Sequence, residues 1–168
     1  MAGSTGGQIE ELGTRLTANV TCATSGDNGT APADYLLSGS WFDSSTPGQG
    51  LIFDFNPVQP YLFGAWYTFE PNGAQTGGPG SQRWYTLQNG QLPSGTTALD
   101  GIGIYTATDG VFNDPAATIT NQVGTASITF ASCTAMTVSY TFTSGDNLGR
   151  SGTMHLTRTG ATPAGCSL

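Results

Sequence analysis

The sequence predicts an all-β chain: one antiparallel up-and-down β-barrel of about eight strands, with a β-sandwich as the alternative. Three observations carry this. From Leu36 onward apolar residues recur with a period of two. Turn signals rich in Gly, Pro, Asn and Asp divide the periodic stretches. All three tryptophans, Trp41, Trp66 and Trp84, fall between Gly39 and Gln88 with most of the other aromatic mass, so the core should be built there. The barrel is favoured because consecutive strands joined by short turns give the up-and-down pattern, and closure removes exposed edges.

In chain order, residues 1–35 read as an N-terminal arm and loop, and 36–168 as the barrel domain. Ile9, Leu12, Leu16 and Val20 have helical spacing, but Gly13 and the threonines oppose a helix, so a short helix and an extended arm both stand. Ser25 to Ala33 is a loop by its turn residues. Strands are expected at Leu36–Phe42, Gly50–Phe55, Tyr61–Glu70, Gln82–Gln88, Ala98–Tyr105, Val123–Ser132, Ala135–Phe142 and Gly152–Thr159. In the C-terminal strands Ala126, Ile128 and Phe130, then Met136, Val138, Tyr140 and Phe142, then Met154 and Leu156, make the buried face. The opposite face is Thr-rich and carries His155.

The aromatic half does not alternate cleanly. Tyr61, Phe63, Tyr67 and Phe69 share one face, and Leu62, Trp66 and Glu70 the other. On the next strand Tyr85 and Leu87 oppose Trp84, Gln82 and Gln88. Pairing around 71–81 is expected to put Trp66 and Trp84 on one second face, joined by Asp54. Two tryptophans on what should be the polar face need a reason. They form a stacking platform with Asp54, Glu70, Gln82 and Gln88 as hydrogen-bonding neighbours, or a loop or the arm covers them, or another copy of the chain does.

Composition excludes several classes. There is no lysine, and a net charge of -7 rests on few ionisable groups. That opposes a nucleic-acid partner, which needs a basic face, and an electrostatic membrane binder. No apolar run is long enough to span a bilayer. The three cysteines, with His155 as the one histidine, fit no zinc site. An oxidising compartment with one disulfide is the better reading, so the chain is expected to be secreted. The start MAGSTGGQ lacks the features of a signal peptide, so for an exported chain Met1 is expected to replace a signal that has been removed. Strand order places the bond: from Cys133 at a hairpin turn, the chain runs down, turns near Gly145 and returns, ending a few residues before Cys166. Cys133–Cys166 is therefore expected, with Cys22 free or paired between chains.

Catalytic signals are weak. Asp54 and Glu70 have the residue types of a glycosidase pair, but two solvated carboxylates at strand ends is the favoured reading. His155 sits on the Thr-rich face with no nucleophile motif near it. The loops Asp27-Asn28, Asp109 to Asp114 and Asp146-Asn147 match no calcium loop, and Asx-turn chemistry explains them. Arg83 and Arg158 are expected to make structural hydrogen bonds at barrel ends. No cofactor or metal is expected.

The stretches GSWFDSSTPGQGLIFDF, LFGAWYTFEPNG and SQRWYTLQ resemble a family of exported bacterial β-rich domains without assigned chemistry. The resemblance covers about Leu36 to Leu168 and implies an extracellular bacterial location. More loosely, Gly39-Ser40-Trp41 and the late Arg158 resemble lipocalins and avidins, where an arginine closes over an early tryptophan. The residues that contact biotin in avidins have no counterpart here. The expected function is a secreted, non-enzymatic module binding a carbohydrate or small apolar ligand. The alternative is a self-associating subunit of an extracellular or cell-surface assembly.

Overall fold

Eight antiparallel strands close into one barrel, in the order β1 (Gly39–Phe42), β2 (Gly50–Asn56), β3 (Tyr61–Phe69), β4 (Gln82–Asn89), β5 (Ala98–Thr108), β6 (Ile119–Ser132), β7 (Ala135–Phe142) and β8 (Ser151–Arg158). This is a computed structural model, and it describes residues 36–56, 61–71, 79–89, 97–115 and 117–168. The expected arm or helix, the loop Ser25 to Ala33 and Cys22 lie outside the described residues. No helix among the described residues is long and apolar enough to cross a membrane.

The barrel is the up-and-down form rather than the sandwich, since every strand pairs with its sequence neighbours and β8 returns to β1. The inside is filled by the alternate residues that the C-terminal pattern predicts, among them Ala126, Ile128, Phe130, Met136, Val138, Phe142 and Leu156. The Thr-rich side of β6 to β8 faces out, and there Thr137 and His155, and Ser139 and Thr153, make cross-strand hydrogen bonds. Three strand ends differ from expectation by more than one residue. β1 starts at Gly39 because Leu36 and Leu37 are buried beneath the barrel instead of pairing. β5 and β6 run on to Thr108 and back from Ile119, forming a long hairpin.

The base of the barrel is closed by Arg158. Its Nε donates to Cys133 O, Nη1 to Ser38 O and Nη2 to Leu36 O, each at 2.8 Å. The guanidinium also lies over the Trp41 ring. Gly39 permits this, because it has φ 143° and a Cβ there would stand 2.7 Å from Arg158 Nη1. Burial pulls the Arg158 pKa below its ordinary value, but a guanidinium stays charged at neutral pH. The Cys133–Cys166 disulfide is present at the same end and ties the C-terminal tail to the β6–β7 turn.

The opposite end, the mouth, is splayed. There β4 meets β5 only at Thr86–Tyr105, Leu87–Ile104 and Gln88–Gly103. β8 meets β1 only at Arg158–Trp41 and Thr157–Phe42. Between those seams, β2 to β4 and β5 to β8 pair along most of their lengths. The wall therefore closes at the base and parts into two sheets toward the mouth.

Candidate functional site

The register of β3 with β4 overturns the shared tryptophan face. Trp66 stands opposite Tyr85, and Tyr67 opposite Trp84. Residues that face each other across a ladder share a side, so Trp66 goes in with Tyr85 while Trp84 goes out with Tyr67. Trp66 is 6% exposed and Trp84 55%. A slip of one residue reverses every face, and a connection as long as 70–81 does not fix the parity. The inward side of β3 is Leu62, Gly64 and Trp66. Tyr61, Phe63, Tyr67 and Phe69 lie on the outer wall.

The six residues singled out in the sequence separate accordingly. Glu70, Gln82 and Trp84 meet at the mouth, and Trp66 lies just inside it. Asp54 and Gln88 both stand opposite Phe63 on the outer wall and belong to neither mouth cavity. Glu70 follows the far end of β3, about 20 Å from that row at the rise of a strand. Asp54 and Glu70 are thus too far apart for the acid and base of a glycosidase. Glu70 is engaged by Arg83, which also donates to Gly80 O and Gln82 O.

What the two sheets enclose at the mouth is an aromatic cluster. Trp66 and Tyr85 come from one sheet, Tyr140 and Phe142 from the other. Ring centroids are 5.5 Å apart for Trp66–Tyr85, 4.9 Å for Trp66–Tyr140, 6.0 Å for Trp66–Phe142 and 5.2 Å for Tyr85–Phe142. Tyr140 crosses Gly152, where a Cβ would stand 2.5 Å from its Oη and 2.8 Å from the ring carbon Cζ. A polar bond spans the sheets above the cluster: Asn147 Nδ2 donates to Tyr85 Oη at 2.7 Å. Burial raises the Tyr85 pKa against the opposing effect of that bond, so the phenol is neutral at physiological pH.

This bridge and Phe142 divide the mouth into two cavities. One, about 640 Å³, fills the gap between β4 and β5, with Trp84 and Tyr85 on one wall, Thr106 to Thr108 on the other, and Val123 and Phe142 beneath. The other, about 490 Å³, opens at the seam beside β8 over Trp66, Thr68, Tyr140 and Ser151. Thr68 donates to Gln49 Oε1 at its edge. Asn147 and Arg150 border both.

The first cavity also exposes backbone. Glu70 N–H donates to Ser81 O, so odd residues of β4 address β3 and even ones address β5. Thr86 and Gln88 find β5. Gln82 and Trp84 lie past the last pair. The Gln82 carbonyl accepts from Arg83 Nη1 instead, and the Trp84 backbone faces the gap.

Tyr85, Tyr140 and Phe142 were not singled out from the sequence as site residues, because their strands read as ordinary core. Their site arises from the splay, which no local pattern encodes. His155 is exposed on the outer wall beside Thr137. No group of three or more His, Cys, Asp or Glu among the described residues is arranged to hold a metal ion. No protein-family model, no curated protein and no solved structure matches the chain.

Proposed function

We propose that the chain is an exported, non-enzymatic binding module that takes a carbohydrate or a small apolar ligand in its splayed mouth. The observation that carries this is the pair of cavities floored by Trp66, Tyr85, Tyr140 and Phe142 and rimmed by polar side chains. Flat apolar rings with Asn147, Gln82 and Arg150 at the edge suit a ligand with an apolar face and hydroxyl or carbonyl edges. The disulfide supports an oxidising compartment, and bacterial origin rests on the family resemblance alone. The non-enzymatic reading is supported by the separation of Asp54 from Glu70 and the engagement of Glu70 by Arg83. Tryptophan fluorescence titrated against a glycan and lipid panel tests it. A saturable change is expected from at least one ligand, weakened about tenfold by Trp84→Ala or Tyr140→Ala. Silence across the panel with a folded protein would sink the reading.

A second reading, a self-associating subunit, is favoured by a separate observation. Large apolar side chains stand exposed on the outer wall at Ile52, Tyr67, Phe69 and Trp84, and on the β5–β6 hairpin at Val111, Phe112 and Ile119.

A further inference from the structure

On its β1 side, β8 has an open edge. β1 stops at Phe42 and β2 starts at Gly50, with their turn between. β8 therefore runs on above that turn with no strand beside it. Thr159 N–H donates to Ser40 O and Arg158 N–H to Thr134 O, so odd residues of β8 address β1 and even ones address β7. Past the last pair, Thr157–Phe42, the backbones of His155, Thr153 and Ser151 face the seam, with no strand partner there among the described residues. N–H and C=O groups repeating every second residue are a template that an extended chain matches along its length.

The two faces of that edge restrict which chain fits. Inward lies the cavity over Trp66, Tyr140 and Phe142. Met154, on the same side, is only partly buried, whereas Leu156 below it is buried. Outward, Ser151, Thr153 and His155 continue the Thr-rich wall of β6 and β7. A strand added here must be apolar at one parity and polar at the other.

A stretch of the chain outside the described residues has that pattern. In 16–22, LTANVTC, the residues Leu16, Ala18, Val20 and Cys22 alternate with Thr17, Asn19 and Thr21, and none is charged. The length of chain allows it to arrive. Leu36 is held at the base by Arg158. Residues 23–35 reach about 43 Å when extended, and β8 is about 26 Å long.

We propose that residues 16–22 add to the open edge of β8 as a ninth strand of the same molecule, with Leu16, Ala18, Val20 and Cys22 turned into the cavity over Trp66 and Tyr140. This does not rest on the binding reading but bears on it. A ligand in this cavity would have to displace the strand, whereas one in the β4–β5 gap would not.

Thiol labelling of the full chain tests this, since Cys133 and Cys166 are bonded to each other and leave Cys22 as the remaining cysteine. Cys22 should react at least about tenfold more slowly in native protein than in denaturant. A cysteine at the other parity, Thr21→Cys in a Cys22→Ala chain, should react fast. Val20→Pro breaks the strand. It should expose Cys22 and speed hydrogen exchange at the Thr153 and His155 amides about tenfold or more, with the near-UV dichroism of the barrel kept. A photo-crosslinking residue at position 19 should capture β8 within one chain. Fast labelling at both positions would overturn the proposal, as would protection of position 21 with Cys22 open. Crosslinks between chains would overturn the single-molecule strand. Silence of the ligand panel, which sinks the binding reading, would leave each of these outcomes unchanged.

Discussion

The guanidinium carbon of Arg158 lies 4.6 Å from the centroid of the Trp41 ring, so the last strand is locked to the first across the base of the barrel. Three carbonyls from two separate segments accept hydrogen bonds from the same group. Trp41 Nε1 is buried without a hydrogen-bond partner among the described residues. The value of Trp41 therefore lies in its ring and not in its N–H.

Arg158→Met should lower stability by about 3 kcal/mol, since it leaves three buried-side carbonyls short of a charged donor. Arg158→Lys should recover only part, because an ammonium cannot span the fork. Gly39→Ala should be costly by the same route, through positive φ and the clash with Nη1. Trp41→Phe should cost less than Trp41→Ala. Denaturant midpoints order the five variants. A Lys variant as stable as wild type would contradict the lock.

The two sides of the β3–β4 ladder predict opposite behaviour for their tryptophans. Trp66→Ala should cost about 3–5 kcal/mol, as a cavity in an aromatic cluster. Trp84→Ala should stay within about 0.5 kcal/mol, being on the surface. Acrylamide should quench Trp84 emission far more than that of Trp41 or Trp66 in single-tryptophan variants. Equal quenching of Trp66 and Trp84 would mean that the register is wrong.

Much of the barrel was legible because β6, β7 and β8 each keep strict alternation, and short turns fix their order. That order also placed Cys133 beside Cys166. Faces on β3 and β4 were not legible in the same way. Both sides of Tyr61–Phe69 are aromatic, so hydrophobicity could not choose between them, and the parity of a long connection is invisible in sequence. The mouth was hidden for a different reason. It depends on where pairing stops, at Thr86–Tyr105 and at Phe42–Thr157, and the residues past those points look no different from paired ones.

Reducing Cys133–Cys166 should destabilise the protein by about 3–4 kcal/mol on the chain-entropy model for the 33-residue separation. Non-reducing peptide mapping should recover the two cysteines together. The loss should be read at equilibrium against a Cys133→Ala, Cys166→Ala pair. A bond from Cys22 to either one would contradict the structure.

Alkaline pH should loosen the mouth first. Burial raises the pKa of Tyr85 above its ordinary value, and does the same more peripherally at Tyr61. A group with a raised folded pKa contributes fully below its unfolded value and loses that contribution as pH climbs through the folded one. Stability should therefore fall above about pH 10. Tyr85→Phe should cost about 1 kcal/mol at neutral pH, for the lost Asn147 bond, and show a shallower alkaline decline. An unchanged alkaline slope in that variant would remove Tyr85 from the account.

The unequal seams give the wall a gradient of compliance. Near the base, a clamp of disulfide and guanidinium leaves little slack. Toward the mouth the two sheets are arranged like the jaws of a clip, with the Asn147–Tyr85 bond as the latch among the described residues. Such a clip needs no hinge residue and no lid. If the mouth takes a ligand as proposed, a guest that supplies its own donor to Tyr85 Oη would replace the Asn147 bond as it enters.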